Sequence, residues 1–247
     1  MTVERAAELL SAARSGVAFT GAGASAESGI PTFRGVGGLW TKYDPVKVAS
    51  IDSFMQDPTA YWMVSKERGG IAIAARPNSG HLALVALEAA GVLVAIVTQN
   101  TDGLHQASGS RRVVEVHGSS RTVQCLDCGM RESRAVVQAR LAVQMPPLCK
   151  SCGGMFLKPT VVLFGEPMPV AAMHEALALA QGADVMLIVG SSLVVHPAAD
   201  IPLAAVRSGA RLIIINAEPT PFDSLAEVVI HGRAGEVLPE ILTLLDA

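Results

Sequence analysis

Phe19-Thr20-Gly21-Ala22-Gly23-Ala24-Ser25-Ala26 is the stretch whose reading decides the fold. It closes a short apolar run at 16–20 that predicts a buried strand. Its small residues then let backbone N–H groups approach an anion at the start of a helix. It meets the G-x-G-x-x-G pattern only in the form ending in alanine, at Ala26, with the next glycine delayed to Gly29. Alone, a Gly-Ala-Gly is equally a plain turn, so the surroundings must decide.

Outward from this loop, apolar runs at 92–98, 113–116, 185–190, 211–216 and 227–230 are spaced by helical patterns at 80–90, 169–181, 198–208 and 235–245, with another at 3–13. That alternation predicts an α/β fold with a Rossmann-like, parallel, doubly wound sheet. Gly91, Gly182 and Gly209 stand where helices should stop. Two stretches break the rhythm. Residues 35–78 carry turn residues, Trp40, Tyr43 and Trp62, and predict a helical module with a cofactor loop. Residues 119–158 hold all the cysteines. The sheet domain is then 1–34, 79–118 and 159–247, the two insertions are expected to form one smaller lobe, and the cleft between lobe and sheet is the expected ligand site.

At 247 residues, 50% hydrophobic and 17% charged, the chain has the composition of a globular protein with a sizeable core. A net charge of -3 offers no field for a polyanion, so direct nucleic-acid binding is not expected. The first ten residues lack the cationic start and apolar run of a signal peptide, and the apolar runs are far shorter than the ~20 residues of a membrane span. A cytoplasmic, membrane-free protein is expected. Oligomeric state is not legible, and a monomer fits.

Cys125 and Cys128 form one Cys-x-x-Cys pair and Cys149 and Cys152 a second, with residues 129–148 between them. This spacing predicts a structural zinc ribbon, with four thiolates filling every coordination position, over four unrelated thiols or a redox dithiol. Gly129, Gly153 and Gly154 suit its tight turns, and Arg121, Arg131, Arg134 and Lys150 are candidates to offset its negative charge.

The opening stretch continues as Ala24-Ser25-Ala26-Glu27-Ser28-Gly29-Ile30-Pro31-Thr32-Phe33-Arg34-Gly35, which closely resembles the first signature of the sirtuins, NAD-dependent protein lysine deacylases. Further signatures follow in order: Thr98-Gln99-Asn100-Thr101-Asp102-Gly103-Leu104-His105, Glu115-Val116-His117-Gly118, Val162-Leu163-Phe164-Gly165-Glu166, Val189-Gly190-Ser191-Ser192-Leu193 and Asn216-Ala217-Glu218-Pro219-Thr220. The resemblance spans about 17–239 and includes the cysteine pairs.

The resemblance implies a reaction in which the acyl-lysine amide oxygen attacks C1′ of the nicotinamide ribose, nicotinamide leaves, and the acyl group passes to ADP-ribose. His117 would be the general base at a ribose hydroxyl. Asn100 and Asp102 would position the nicotinamide carboxamide and a water, with Gln99 on the ribose and Thr101 beside them. Gly21, Ala22, Gly23, Ser25, Glu27, Phe33 and Arg34 would surround the nicotinamide and phosphates. Gly190, Ser191 and Ser192 would face the adenosine, Asn216, Ala217 and Glu218 its ribose, and Ala234 would complete the cofactor set. Phe33, His117, Val162, Phe164, Gly165 and Glu166 would take the acyl-lysine, with 162–166 pairing to the peptide as an added strand. The partners implied are acyl-lysine proteins or peptides.

Two departures bear on specificity. Thr32 replaces an aspartate found in many members. Members that remove succinyl or malonyl groups carry a Tyr-x-x-Arg pair, and the matching positions here are Ser65 and Arg68, which favours acetyl or longer fatty acyl groups. The rival readings are a protein mono-ADP-ribosyltransferase and a non-catalytic NAD sensor or adaptor. Retention of Asn100, Asp102 and His117 together argues against a pure binder.

Overall fold

The computed structural model describes residues 2–35 and 37–245. Its larger sheet is built from β1 (Gly16–Thr20), β2 (Leu93–Thr98), β3 (Val113–Glu115), β7 (Val185–Val189), β8 (Arg211–Ile215) and β9 (Val228–Ile230). They lie in the order β3-β2-β1-β7-β8-β9, and every neighbouring pair is parallel. Parallel strands are covered on both faces, which is why β1 and β7 are buried throughout and read as continuous apolar runs. One face carries Ala18, Ile96, Leu187 and Ile213 against α1 (Thr2–Ser11), α5 (Ser79–Ala89) and α10 (Ala234–Leu245). The other carries Val17, Phe19, Met186, Ile188 and Ile214 against α8 (Val170–Gly182) and α9 (Asp200–Arg207). Phe19 is fully buried, and its truncation to alanine would cost ~3–5 kcal/mol.

The chain leaves β1 toward β2 and β3 on one side, and returns to lay β7, β8 and β9 on the other. The β1/β7 boundary is therefore the topological switch point, where open α/β sheets bind ligands beyond their strand ends.

The insertions form α2 (Pro45–Ala49), α3 (Ile51–Gln56), α4 (Thr59–Ala74) and α7 (Arg134–Arg140), with an antiparallel sheet ordered β5-β4-β6 from β4 (Gly118–Cys125), β5 (Arg131–Ser133) and β6 (Leu157–Val161). They share one core of Phe54, Trp62, Val123, Cys125, Val137, Leu141, Cys149, Leu157 and Leu163. Trp62 is wholly buried, and its indole donates to the Leu157 carbonyl at 3.0 Å, pinning α4 to β6. β6 crosses the 158/159 boundary expected from the sequence because its pairing with β4 continues to Val161.

Other expectations shift for local reasons. After β1 the chain makes a 3-10 turn, Ala22–Ser28, ended by Gly29 at φ 82°, rather than a full α-helix. Gly91 and Gly209 do stop helices at positive φ, whereas Gly182 is the last residue of α8 and Ala183 carries the extended cap. α5 starts at a capping box in which Asn78 and His81 exchange side-chain and backbone bonds.

Candidate functional site

Three glycines bring the two strand-end loops together at the switch point. Gly23 N–H donates to the Gly190 carbonyl at 2.8 Å, and a Cβ on Gly23 would lie 2.7 Å from Gly190 Cα. A Cβ on Gly21 would meet Ser191, while Gly190 holds φ 62° against the Ala24 amide. Only residues without side chains allow this approach, and it leaves a bare backbone cradle suited to a pyrophosphate.

The end of β2 supplies the polar groups. Thr98 Oγ1 accepts the Asn100 N–H at 3.0 Å, which turns the Asn100 side chain back toward the first loop. Asn100 Nδ2 then donates to the Gly21 carbonyl (3.0 Å) and to Ser25 Oγ (3.1 Å). Ser25 Oγ donates to Asp102 Oδ2 at 2.8 Å, and Asp102 Oδ1 accepts the Leu104 N–H. Ser25, Asn100 and Asp102 thus form one network, with Asn100 8% exposed and its amide group fixed in orientation.

His117 follows β3. Its Nδ1 faces the Gln99 carbonyl at 3.1 Å, and a carbonyl can only accept, so Nδ1 carries the proton and Nε2 is left bare. Burial lowers the His117 pKa, against a smaller raising effect of the Gln99 bond. Gln99 Nε2 donates to Ser191 Oγ at 2.7 Å, linking the His117 side of the pocket to the β7 loop.

At the far end, Asn216 Nδ2 donates to the Glu218 carbonyl, and the Glu218 carboxylate leans over Gly35, where an added Cβ would lie 2.7 Å from Oε1. Glu27, expected to face the cofactor, instead accepts the Gly235 N–H at 2.7 Å and caps the start of α10 beside Ala234. Its carboxylate compensates a helix N-terminus. Phe33, Trp40 and Phe164 gather in an open aromatic cluster, with ring centroids 5.3 and 6.3 Å apart. The Arg68 guanidinium lies 4.2 Å over Phe33. Ser65 is engaged by Arg134, which donates to its hydroxyl and its carbonyl.

Glu166 was expected to contact the peptide. Its carboxylate is instead taken up internally, by Lys158 Nζ at 2.9 Å and the Leu163 N–H at 2.8 Å. Phe164 pairs by backbone bonds with Ala49 and Ile51 of the helical segment, and Val162 N–H donates to the His117 carbonyl.

The four cysteine sulfurs lie within 4.8 Å of one another, with Cys125–Cys152 at 3.6 Å and Cys128–Cys149 at 3.7 Å. A zinc–sulfur bond of about 2.3 Å implies tetrahedral edges of roughly 3.8 Å, so the set fits a zinc ion. The two knuckles match: Gly129 N–H donates to the Cys125 carbonyl and Gly153 N–H to the Cys149 carbonyl, both at 2.9 Å. Of the cations expected nearby, Arg134 turns away to Ser65 and over the Trp62 ring, and Arg121 pairs with Glu115. Arg140 acts electrostatically on Cys149 and, with Lys150, pairs with Glu132.

Sequence reasoning missed a buried polar chain behind the pocket. His105 Nε2 meets Thr20 Oγ1 at 2.8 Å, and Thr20 donates to Thr98 Oγ1, which holds Asn100. The His81 and His105 rings meet at a tilt of 54° with centroids 4.9 Å apart, and desolvation lowers both pKa values, to about 3 for His105. Strand-end threonines carry no pattern of their own, so nothing in the sequence pointed to this chain.

A family model described as the Sir2 family matches residues 21–197. A protein named NAD-dependent protein deacylase 2 from Archaeoglobus fulgidus is 49% identical over 240 residues, covering 97% of this chain and 94% of that protein. One of the same name from Pyrobaculum aerophilum is 49% identical over 236 residues, 96% of this chain and 93% of that protein. A solved structure from work on the mechanism and regulation of Sir2 enzymes superposes with a TM-score of 0.94 at 48% identity, covering 99% of this chain and 98% of that one. Sir2Af2 bound to a myristoylated histone peptide superposes with a TM-score of 0.86 at 40% identity, covering 99% and 96%.

Proposed function

The chain belongs to the Sir2 family, and from that premise we propose how its own residues carry out the reaction. It is an NAD-dependent protein lysine deacylase that transfers the acyl group from lysine to ADP-ribose with release of nicotinamide. Bound NAD supplies the electrophilic ribose carbon and the acceptor for the acyl group. The Gly21–Gly23–Gly190 cradle takes the pyrophosphate, with Arg34 as its charge partner, and Asn216 and Glu218 take the far ribose. Asn100, held by Gly21 and Ser25, presents its remaining amide oxygen to the nicotinamide end.

His117 then acts as base through Nε2. The observation that carries this role is the Gln99 carbonyl on Nδ1, which fixes the tautomer. A lowered pKa keeps Nε2 free to take a ribose proton near neutral pH. The Phe33–Phe164 cluster and Val162 accept the acyl-lysine stem, whose methylenes suit an apolar wall. Ser65 stands where dicarboxylate-removing members carry the tyrosine of the Tyr-x-x-Arg pair and is held by Arg134, while Arg68 lies on Phe33, so acetyl and fatty acyl groups are preferred to dicarboxylic ones. The four cysteines hold a structural zinc ion. The partners are acyl-lysine proteins or peptides in the cytoplasm, with nucleic acid not bound directly and the monomer sufficient. We take 1–34, 79–118 and 159–247 as the NAD-binding unit.

Mass spectrometry of acetyl-, myristoyl- and succinyl-lysine peptides incubated with and without NAD tests this. Acyl loss that requires NAD, yields acyl-ADP-ribose, and is fastest for acetyl or myristoyl is the expected result. ADP-ribose attached to protein with the acyl group intact would overturn it, and a fastest rate on succinyl-lysine would overturn the acyl preference.

A further inference from the structure

Lys158 on β6 is 7% exposed, an amine withdrawn from water and paired with one carboxylate. Its Nζ donates to the Val161 carbonyl at 2.7 Å and to Glu166 Oε2 at 2.9 Å. The same oxygen accepts the Leu163 N–H at 2.8 Å, and the Glu166 N–H closes back on the Leu163 carbonyl at 3.0 Å. Gly165, at φ 89°, makes the turn that allows it. The hydrogen bonds of both side chains therefore run within 158–166, and they close 161–166 into a clamped loop. Outside the clamp, the loop hangs from the His117 carbonyl through Val162 and from Ala49 and Ile51 through Phe164.

A buried ion pair gives little net stability, because desolvation offsets the attraction, and its value lies more often in fixing one conformation. Here the conformation fixed is that of the segment presenting Val162 and Phe164 at the mouth of the acyl-lysine slot. We propose that Lys158 and Glu166 are positioning residues for acyl-peptide binding: they preform the backbone edge against which the substrate strand docks and touch no substrate themselves. The proposal rests on the deacylase reading. Its consequence is specific to one substrate. The pyrophosphate cradle and the adenosine end are built from β1, β7 and β8 loops, whereas the side-chain hydrogen bonds of the clamp stay within 158–166, so NAD binding is expected to be independent of it. Without the clamp, the peptide must order its own docking edge, a cost that appears in KM for peptide.

The test uses full-length, zinc-loaded enzyme and initial rates against an acetyl-lysine peptide and against NAD, for Glu166→Gln, Lys158→Met and the double variant. A single variant leaves one buried charge unpaired and can fail to fold. The double variant removes both charges and keeps the question open to measurement. The expected result is a peptide KM raised about tenfold in the double variant, NAD KM unmoved, kcat within about threefold, and a melting temperature within a few degrees of the parent. Because the Lys158–Glu166 bond joins the two residues in one clamp, the effect of the double variant on peptide KM should fall short of the sum of the effects of any folded single variants. A double variant with the parental peptide KM overturns the proposal. So does a fall in kcat and melting temperature without a KM change, which would make the pair packing alone. An inactive parent enzyme in the same assay would instead sink the deacylase reading, and the clamp's role with it.

Discussion

His117 can serve as a base only while Nε2 is bare, and the Gln99 carbonyl on Nδ1 is what keeps it so. Burial lowers its pKa, because the charged imidazolium loses solvation. The base is active when deprotonated, so kcat/KM should rise with pH along an acid limb whose midpoint lies below the ordinary histidine value of about 6.5. A pH–rate profile checks this, and a midpoint above that value would contradict the stated environment. At this scale the sequence was partly legible. Motif position is what singles out Asn100, Asp102 and His117 as candidates, and the structure joins Asn100 and Asp102 through Ser25. It does not tell what the Glu27 and Glu166 carboxylates bond within the chain, since a carboxylate in a motif looks the same whether it caps a helix or closes a loop. The tautomer of His117 and the Thr20–Thr98–His105 chain depend on contacts across strands, which no local spacing encodes.

Among the elements, the parallel strands were the most legible, because burial on both faces forces unbroken apolar runs such as Val185–Val189. The turn after β1 was less so. A Gly-Ala-Gly run signals a close backbone approach, but whether a helix or a 3-10 turn follows depends on Ser25 being held by Asn100 and Asp102. α7 went unread, since its seven residues hold Arg134 and Val137 inward for reasons set by α4 and β4. The zinc knuckles belong to the same core as Trp62 and Phe54, so the metal supports the helical segment as well as its own loops. Cys125→Ala is expected to lose the zinc and lower the melting temperature by about 10 °C or more, with activity falling alongside. Metal analysis and thermal melts check this, and a variant that keeps both its fold and its activity without zinc would contradict it.

For the whole molecule, the doubly wound order places the switch point between β1 and β7, and the insertions arise on either side of β2 and β3. Opposite the strand-end loops of the large sheet, Phe33, Trp40 and Phe164 gather beside the 162–166 loop. The doubly wound parallel sheet was legible from the alternation of strands and helices. That the two insertions form one smaller lobe was also expected, but the contacts that build its shared core were not legible, because Trp62 and Leu157 are far apart in sequence. If His117 is the base for deacylation at these strand ends, removing its imidazole should stop turnover without releasing NAD. The first experiment is the rate of NAD-dependent acyl transfer from acyl-lysine peptide to ADP-ribose by His117→Ala beside the parent, with NAD binding by calorimetry as the internal control. The account predicts a loss of about 10²–10⁴-fold in rate with NAD still bound, and a variant that deacylates at the parental rate would contradict it.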